Sequence, residues 1–182
     1  MKIAIVYHSG FGHTEKLAQY VAKGAKEVQG AEVFEIKLSD EATPWPLLEE
    51  ADAIIFGSPT YNGTISARFK QFMEESTRPA FIKQAWQNKL AAGFTTSGAL
   101  HGDKLNSLMT MSLFAAQQGM IWVNLGLMAG TADTDLNPIG SWLGAMAQSS
   151  DASPEITPKM NDLLTAQYLG KHVSEIAAKL SR

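Results

Sequence analysis

The 182-residue chain has no cysteine, which removes disulfide frameworks and thiol chemistry and is compatible with a reducing cytoplasm. It has no apolar run of bilayer-spanning length, and its amino terminus enters an apolar segment without the charged and hydrophobic regions of a secretory signal. A soluble, cytoplasmic protein is the expectation. A dominant charge is also missing: 15 basic against 18 acidic residues give a net charge of −3, and the basic residues are scattered, so there is no footprint for nucleic acid. Neither H-E-x-x-H nor the G-x-x-x-x-G-K-[ST] phosphate loop occurs. Asp133-Thr134-Asp135-Leu136-Asn137 begins like a calcium loop, but Pro138 takes the required glycine position and Gly144 that of the bidentate glutamate, so no metal is expected. No repeat or linker divides the chain, and residues 1–182 read as one domain whose 45% hydrophobic content suffices for a substantial core.

What is present is organised around the first 28 residues. The apolar run Ile3-Ala4-Ile5-Val6-Tyr7 reads as a buried strand, and Leu17, Tyr20, Val21, Ala25 and Val28 lie at helical spacing. Between them is a polar glycine loop, His8 to Thr14, of the kind that puts unpaired N–H groups and the positive end of a helix dipole at one spot. With hydroxyls at Ser9 and Thr14, this loop is a phosphate site by its chemistry.

The same alternation continues. Strands are expected at Ala31–Leu38, Ala53–Phe56, Lys89–Thr95 and Ile121–Leu125. Helices are expected after the third and fourth of the five strands, the former closed by Arg78-Pro79, with Leu47–Glu50 forming at most a turn and Lys159–Leu180 the final helix. Residues 126–158, rich in Gly, Asp, Ser and Pro, read as one long functional loop. Five strands alternating with helices predict a doubly wound α/β domain with right-handed crossovers. Ligands in such sheets lie beyond the carboxyl ends of the strands. The polar loops 57–64 and 96–103 follow the third and fourth strands, so they share an edge with the first loop.

Gly10-Phe11-Gly12-His13-Thr14-Glu15 only approaches the dinucleotide pattern G-x-G-x-x-G, because Glu15 replaces the third glycine. A Rossmann dehydrogenase is therefore disfavoured against a phosphate monoester, which needs fewer glycines and more hydroxyls. His13, at a helix amino terminus, is expected to be neutral and to donate to the phosphate. His101 is expected to be a solvated loop residue, and His8 and His172 structural or surface residues.

Four segments together, Ser9-Gly10-Phe11-Gly12-His13-Thr14, Phe56 to Gly63, Thr95-Thr96-Ser97-Gly98 and Gln118-Gly119-Met120, resemble the flavodoxin-like FMN family, and within it the WrbA-type NAD(P)H:quinone oxidoreductases. The resemblance spans nearly the whole chain and implies a five-stranded parallel sheet of order 2-1-3-4-5 with helices on both faces. It further implies that Ser9, Gly10, Phe11, Gly12, His13 and Thr14 hold the FMN phosphate. Pro59, Thr60, Tyr61, Asn62, Gly63, Thr96, Ser97 and Gly98 would contact the ribityl chain and ring. Phe11 stands where that family has tyrosine, Phe81 where it has a wall tryptophan and Gln118 where it has a histidine near the pyrimidine edge. The family's insertion after strand 2 is largely missing.

By the same resemblance the flavin N5, not a side chain, carries the chemistry. NAD(P)H and a quinone would use one open face in turn, walled by Phe11, Phe81, Gln118 and Trp142. Main-chain donors of residues 96–98 would stabilise the reduced ring. A flavodoxin-type single-electron carrier and an FMN or azo-dye reductase remain as alternatives on this scaffold. Relatives of this type imply a homo-oligomer, dimer or tetramer, and exposure of Trp142, Leu143 and Met146 is expected to fit an interface.

Overall fold

Strand side chains alternate between the two faces of a sheet, and in this chain both faces are covered. In β1 (Lys2–Tyr7), Ile3, Ile5 and Tyr7 enter one core and Ala4 and Val6 the other. The computed structural model, which describes residues 1–130 and 135–180, places β1 inside the sheet, flanked on both sides. It pairs in parallel with β2 (Glu32–Lys37) on one side and with β3 (Ala53–Tyr61) on the other. The two-residue β4 (Thr64–Ile65) folds back antiparallel on the end of β3, and β5 (Leu90–Ser97) runs parallel to β3.

The fifth position of the sheet is shared. β6 (Ile121–Trp122) lies opposite Leu90 and Ala91, whereas β7 (Ala145–Gln148) lies opposite Phe94 to Ser97, both parallel to β5. The expected order of five positions, 2-1-3-4-5, is thus found, but the expected continuous strand over 121–125 is not. The chain leaves the sheet after Trp122 and returns at Ala145, and a hydrogen bond from Leu125 N to Trp142 O (3.0 Å) closes the base of the excursion. The Trp122 indole fills the break: it lies where a Cβ on Gly93 of β5 would come within 2.8 Å, and its Nε1 donates to Leu143 O at 2.9 Å. The stretch expected to be one long loop therefore contains a buried strand.

One face carries α1 (His13–Lys26) and α5 (Met160–Leu180), whose Leu17, Val21, Leu163, Leu169 and Val173 cover the odd-numbered side of β1. The other carries α2 (Trp45–Glu50), α3 (Ala67–Glu75) and α4 (Lys104–Gln117). Here Phe56, Phe69, Phe72, Trp86 and Phe114 form an aromatic cluster with ring centroids 5.5–6.5 Å apart. Helix α3 stops before Arg78-Pro79: proline has no N–H to donate, and Phe81 N reaches back five residues to Ser76 O (3.1 Å) in a wide π-type turn over Thr77–Phe81. Helix α2 starts two residues earlier than expected, with Pro46 in its first turn, where a missing N–H costs nothing. Among the described residues no helix is long and apolar enough to cross a membrane.

Candidate functional site

Every parallel strand points its carboxyl end at the same edge, and a cleft of about 500 Å³ opens there. Ser9, Phe11, His13 and Thr14 of the first loop line one end. Pro59, Thr60 and Tyr61 form its second side, Thr96, Ser97 and Gly98 its third, and residues 149–154, following β7, close the fourth. Its size is that of a cofactor cleft, about 300–1,000 Å³.

The first loop is shaped by Ser9 and two glycines. Ser9 Oγ accepts from Gly12 N (3.1 Å) and Glu15 N (3.2 Å), tying the loop to the first turn of α1. Gly12 has φ of 92°, a left-handed conformation, and a Cβ there would meet Pro154 Cγ at 2.7 Å. A Cβ on Gly10 would meet the Tyr61 hydroxyl at 2.8 Å. Lys16 N makes the first helical bond, to Gly12 O, and among the described residues no partner takes the N–H groups of Phe11, His13 and Thr14. Three free donors at the positive end of a 14-residue helix form an anion cradle. Glu15 does not oppose it, because its carboxylate pairs with Lys37 at 2.7 Å.

His13 differs from expectation. Its Nε2 lies 2.8 Å from Ala152 O, and since a carbonyl can only accept, that nitrogen carries the proton. His13 thereby fastens residues 149–154 beside the first loop. That fourth wall was missed from sequence. Its signal was a polar run, Ser149-Ser150-Asp151-Ala152-Ser153-Pro154, directly after four residues now seen to be a strand.

The residues expected in the second and third loops belong partly to strands. Thr60, one residue before the end of β3, has its hydroxyl 2.8 Å from Thr95 Oγ1 of β5 and 2.7 Å from Ser107 Oγ of α4, so a polar residue that reads as loop is buried and paired. Burial raises the pKa of Tyr61, against a backbone hydrogen bond from Gly10 that lowers it. Asn62 and Gly63 form the β3–β4 turn with φ of 50° and 88°, beside the cleft but not in its lining. On the far side, Thr96 Oγ1 meets Ser149 Oγ at 2.7 Å, and Gln148 Nε2 donates to Gly98 O at 3.1 Å.

Three expected wall residues lie elsewhere within the chain. Gln118 is buried behind α3, donating to Ser76 Oγ at 3.0 Å, and shares with the half-exposed Phe81 a separate depression that has no lining residue in common with the cleft. Trp142 is 56% exposed on the excursion between β6 and β7. Met146, expected to be exposed beside it, is a buried residue of β7, and Leu143 is partly buried. His101 is exposed, His172 stacks on Tyr168 at 5.7 Å, and burial lowers the pKa of His8. No trio of His, Asp or Glu capable of holding a metal occurs among the described residues; Asp133 and Thr134 of the calcium-like stretch lie outside them.

Strand order, the cleft at the switch between β1 and β3, and the unpaired N–H groups at the start of α1 define a flavodoxin-type fold. The profile of the NADPH-dependent FMN reductase family matches residues 45–135. The chain is 40% identical over 187 residues to flavodoxin FldP of Pseudomonas aeruginosa, covering 98% of both chains. It is 34% identical over 206 residues to an NAD(P)H dehydrogenase (quinone) of Geotalea uraniireducens, covering all of both. A flavodoxin, WrbA-like protein from Agrobacterium tumefaciens superposes with a TM-score of 0.78 at 36% identity over 98% of each chain. The chain belongs to the flavodoxin-like FMN family, in its WrbA-type NAD(P)H:quinone oxidoreductase group.

Proposed function

We propose that this protein is a single-domain, FMN-dependent oxidoreductase that passes two electrons from NAD(P)H to a quinone-like acceptor. The observation that carries the reading is the cradle at the start of α1: free N–H groups of Phe11, His13 and Thr14, the Ser9 and Thr14 hydroxyls, and glycines at positions without room for a Cβ. Those features fit a phosphate monoester. The relatives named as quinone dehydrogenases and the FMN reductase family supply the reaction class.

Under this reading residues 9–14 hold the phosphate, and Pro59 to Gly63 with Thr96 to Gly98 flank the ribityl chain and ring. When bound, FMN supplies the hydride acceptance and donation that no side chain here can provide. The protein's part is position, polarity and access. Residues 149–154, fastened by His13, cover the phosphate end and exclude water. Phe11 is 75% exposed and meets Tyr61 edge to face at 6.3 Å, forming an aromatic border on the open side for a nicotinamide or quinone ring to pack against.

Self-association belongs to the same reading. Leu105, Met109 and Leu113 recur every four residues on α4 and are 52–65% exposed, an apolar stripe that a second copy would cover as a dimer or tetramer. With Trp142 and Phe81 exposed and outside the cleft of one chain, any wall they form has to be built between subunits, whereas Gln118 is buried. A cytoplasmic setting accords with the absence of cysteine. The flavodoxin at 40% identity favours a second reading, a carrier that exchanges electrons with protein partners. Steady-state oxidation of NADH and NADPH with benzoquinone separates the two: sustained turnover by FMN-loaded protein is expected, and FMN-loaded protein without turnover would leave the carrier.

A further inference from the structure

Lys104 opens α4 and is 1% exposed, although lysine is rarely buried without a partner. Its Nζ donates to Ser97 Oγ (3.0 Å), Ala99 O (3.0 Å) and Leu100 O (2.7 Å). Three acceptors meet three protons, a match that only the charged ammonium can make. All three belong to the end of β5 and the residues directly after it, where Ser97 and Gly98 line the cleft. The same segment is tied from β7 by Ser149 N to Ser97 O (2.9 Å) and Gln148 Nε2 to Gly98 O (3.1 Å).

The charge lies one residue's thickness behind the cleft wall. Burial pulls the pKa of Lys104 down, and the carboxylate of Asp162, at the start of α5, opposes that pull. Asp162 is itself 4% exposed and accepts from Gln148 N at 3.0 Å. Holding a loop does not require a full charge: a neutral amide has donors enough for two of the carbonyls at much lower desolvation cost. A buried cation in contact with the wall also acts on whatever lies beyond it, because screening there is weak.

We propose that Lys104 is a positioning residue for the FMN site, fixing the Ser97–Leu100 segment and placing a positive charge behind it that favours the reduced, more negative cofactor over the oxidised one. This rests on the FMN reading above. Two unit charges roughly 10 Å apart at an effective dielectric of about 20 change each other's binding by about tenfold. The test measures oxidised-FMN affinity by fluorescence quenching, and the two-electron midpoint potential of the bound cofactor, in the wild type and in the variants Lys104→Gln and Lys104→Met. Lys104→Gln is expected to lower the preference for reduced FMN about tenfold, a fall of about 30 mV. Lys104→Met, which keeps the length of the stem without the charge, is expected to lower the potential likewise. A role confined to holding the loop moves both affinities together and leaves the potential in place, and that result overturns the proposal. If Lys104→Gln does not fold, Lys104→Met decides: a fall in the potential supports the proposal, and an unchanged or higher one overturns it. Wild-type protein that binds no FMN would sink the functional reading itself, a failure distinct from an unmoved potential in loaded protein.

Discussion

Gly12 stands at a point where backbone conformation and contact both forbid a side chain: a left-handed φ of 92° and Pro154 only 2.7 Å from where a Cβ would lie. Gly12→Ala is expected to cost about 1–2 kcal/mol through strain, before any loss of ligand binding. In calorimetry that is a fall of several degrees in Tm for a chain of this length. Ser9 acts through its hydroxyl, which accepts from Gly12 N and Glu15 N and so shapes the loop around the cradle; Ser9→Ala removes a capping interaction of about 1 kcal/mol. Its mark is selectivity: affinity for FMN falls while affinity for riboflavin, which lacks the phosphate, stays. Asp162 gives a pH signature. Burial raises its carboxyl pKa above the ordinary value, so the folded state holds the proton more tightly than the unfolded one. The stability this gives is fully present below the unfolded pKa and is lost as pH rises through the folded one. Asp162→Asn removes that dependence, and thermal melts should show the variant gaining on the wild type as pH rises above the ordinary aspartate range; parallel curves would contradict the assignment.

At the level of elements, the cradle depends on where α1 sits, and α1 is held against α5 by two glycines. A Cβ on Gly24 would collide with the Gln167 carbonyl, and one on Gly170 with the Val21 carbonyl, so the two backbones touch. Gly170→Ala is expected to force the helices apart at a cost of about 1–3 kcal/mol, read as a lowered Tm together with weaker FMN binding. An unchanged Tm would show that the contact gives way freely. The same elements show what a sequence makes visible. Strand β1, its loop and α1 were legible because an apolar run, glycines with hydroxyls and a helical stripe follow one another without ambiguity. The ends of β3 and β5 were not, because Ser58, Thr60 and Thr96 are polar, and their burial depends on hydroxyl partners from other elements that no local pattern displays. Strand β7 was hidden for a related reason: four residues, Ala145-Met146-Ala147-Gln148, become a strand only through pairing with β5, more than 45 positions earlier in the chain. With that strand unseen, the wall at residues 149–154 and the bond from His13 to Ala152 were out of reach as well.

On the scale of the whole molecule, one edge of a twisted sheet gathers four loops, and the surface around it leaves an apolar stripe on α4 uncovered. Leu105, Met109 and Leu113 make no contribution to the cleft, so the double substitution Met109→Lys with Leu113→Glu is expected to shift the protein to monomer in light scattering without weakening FMN binding. Retention of the assembly would place the contact elsewhere. The cleft itself is a claim about phosphate: amides at the start of α1 supply the affinity, and the rest of the edge supplies fit for a ring. Fluorescence-quench titration of the purified protein with FMN and, in parallel, with riboflavin tests it most directly. The account predicts one FMN per chain, bound at least about a hundredfold more tightly than riboflavin, the difference expected of several charge-assisted hydrogen bonds to one phosphate. Equal affinity for the two compounds, or no saturable binding of FMN, would contradict it.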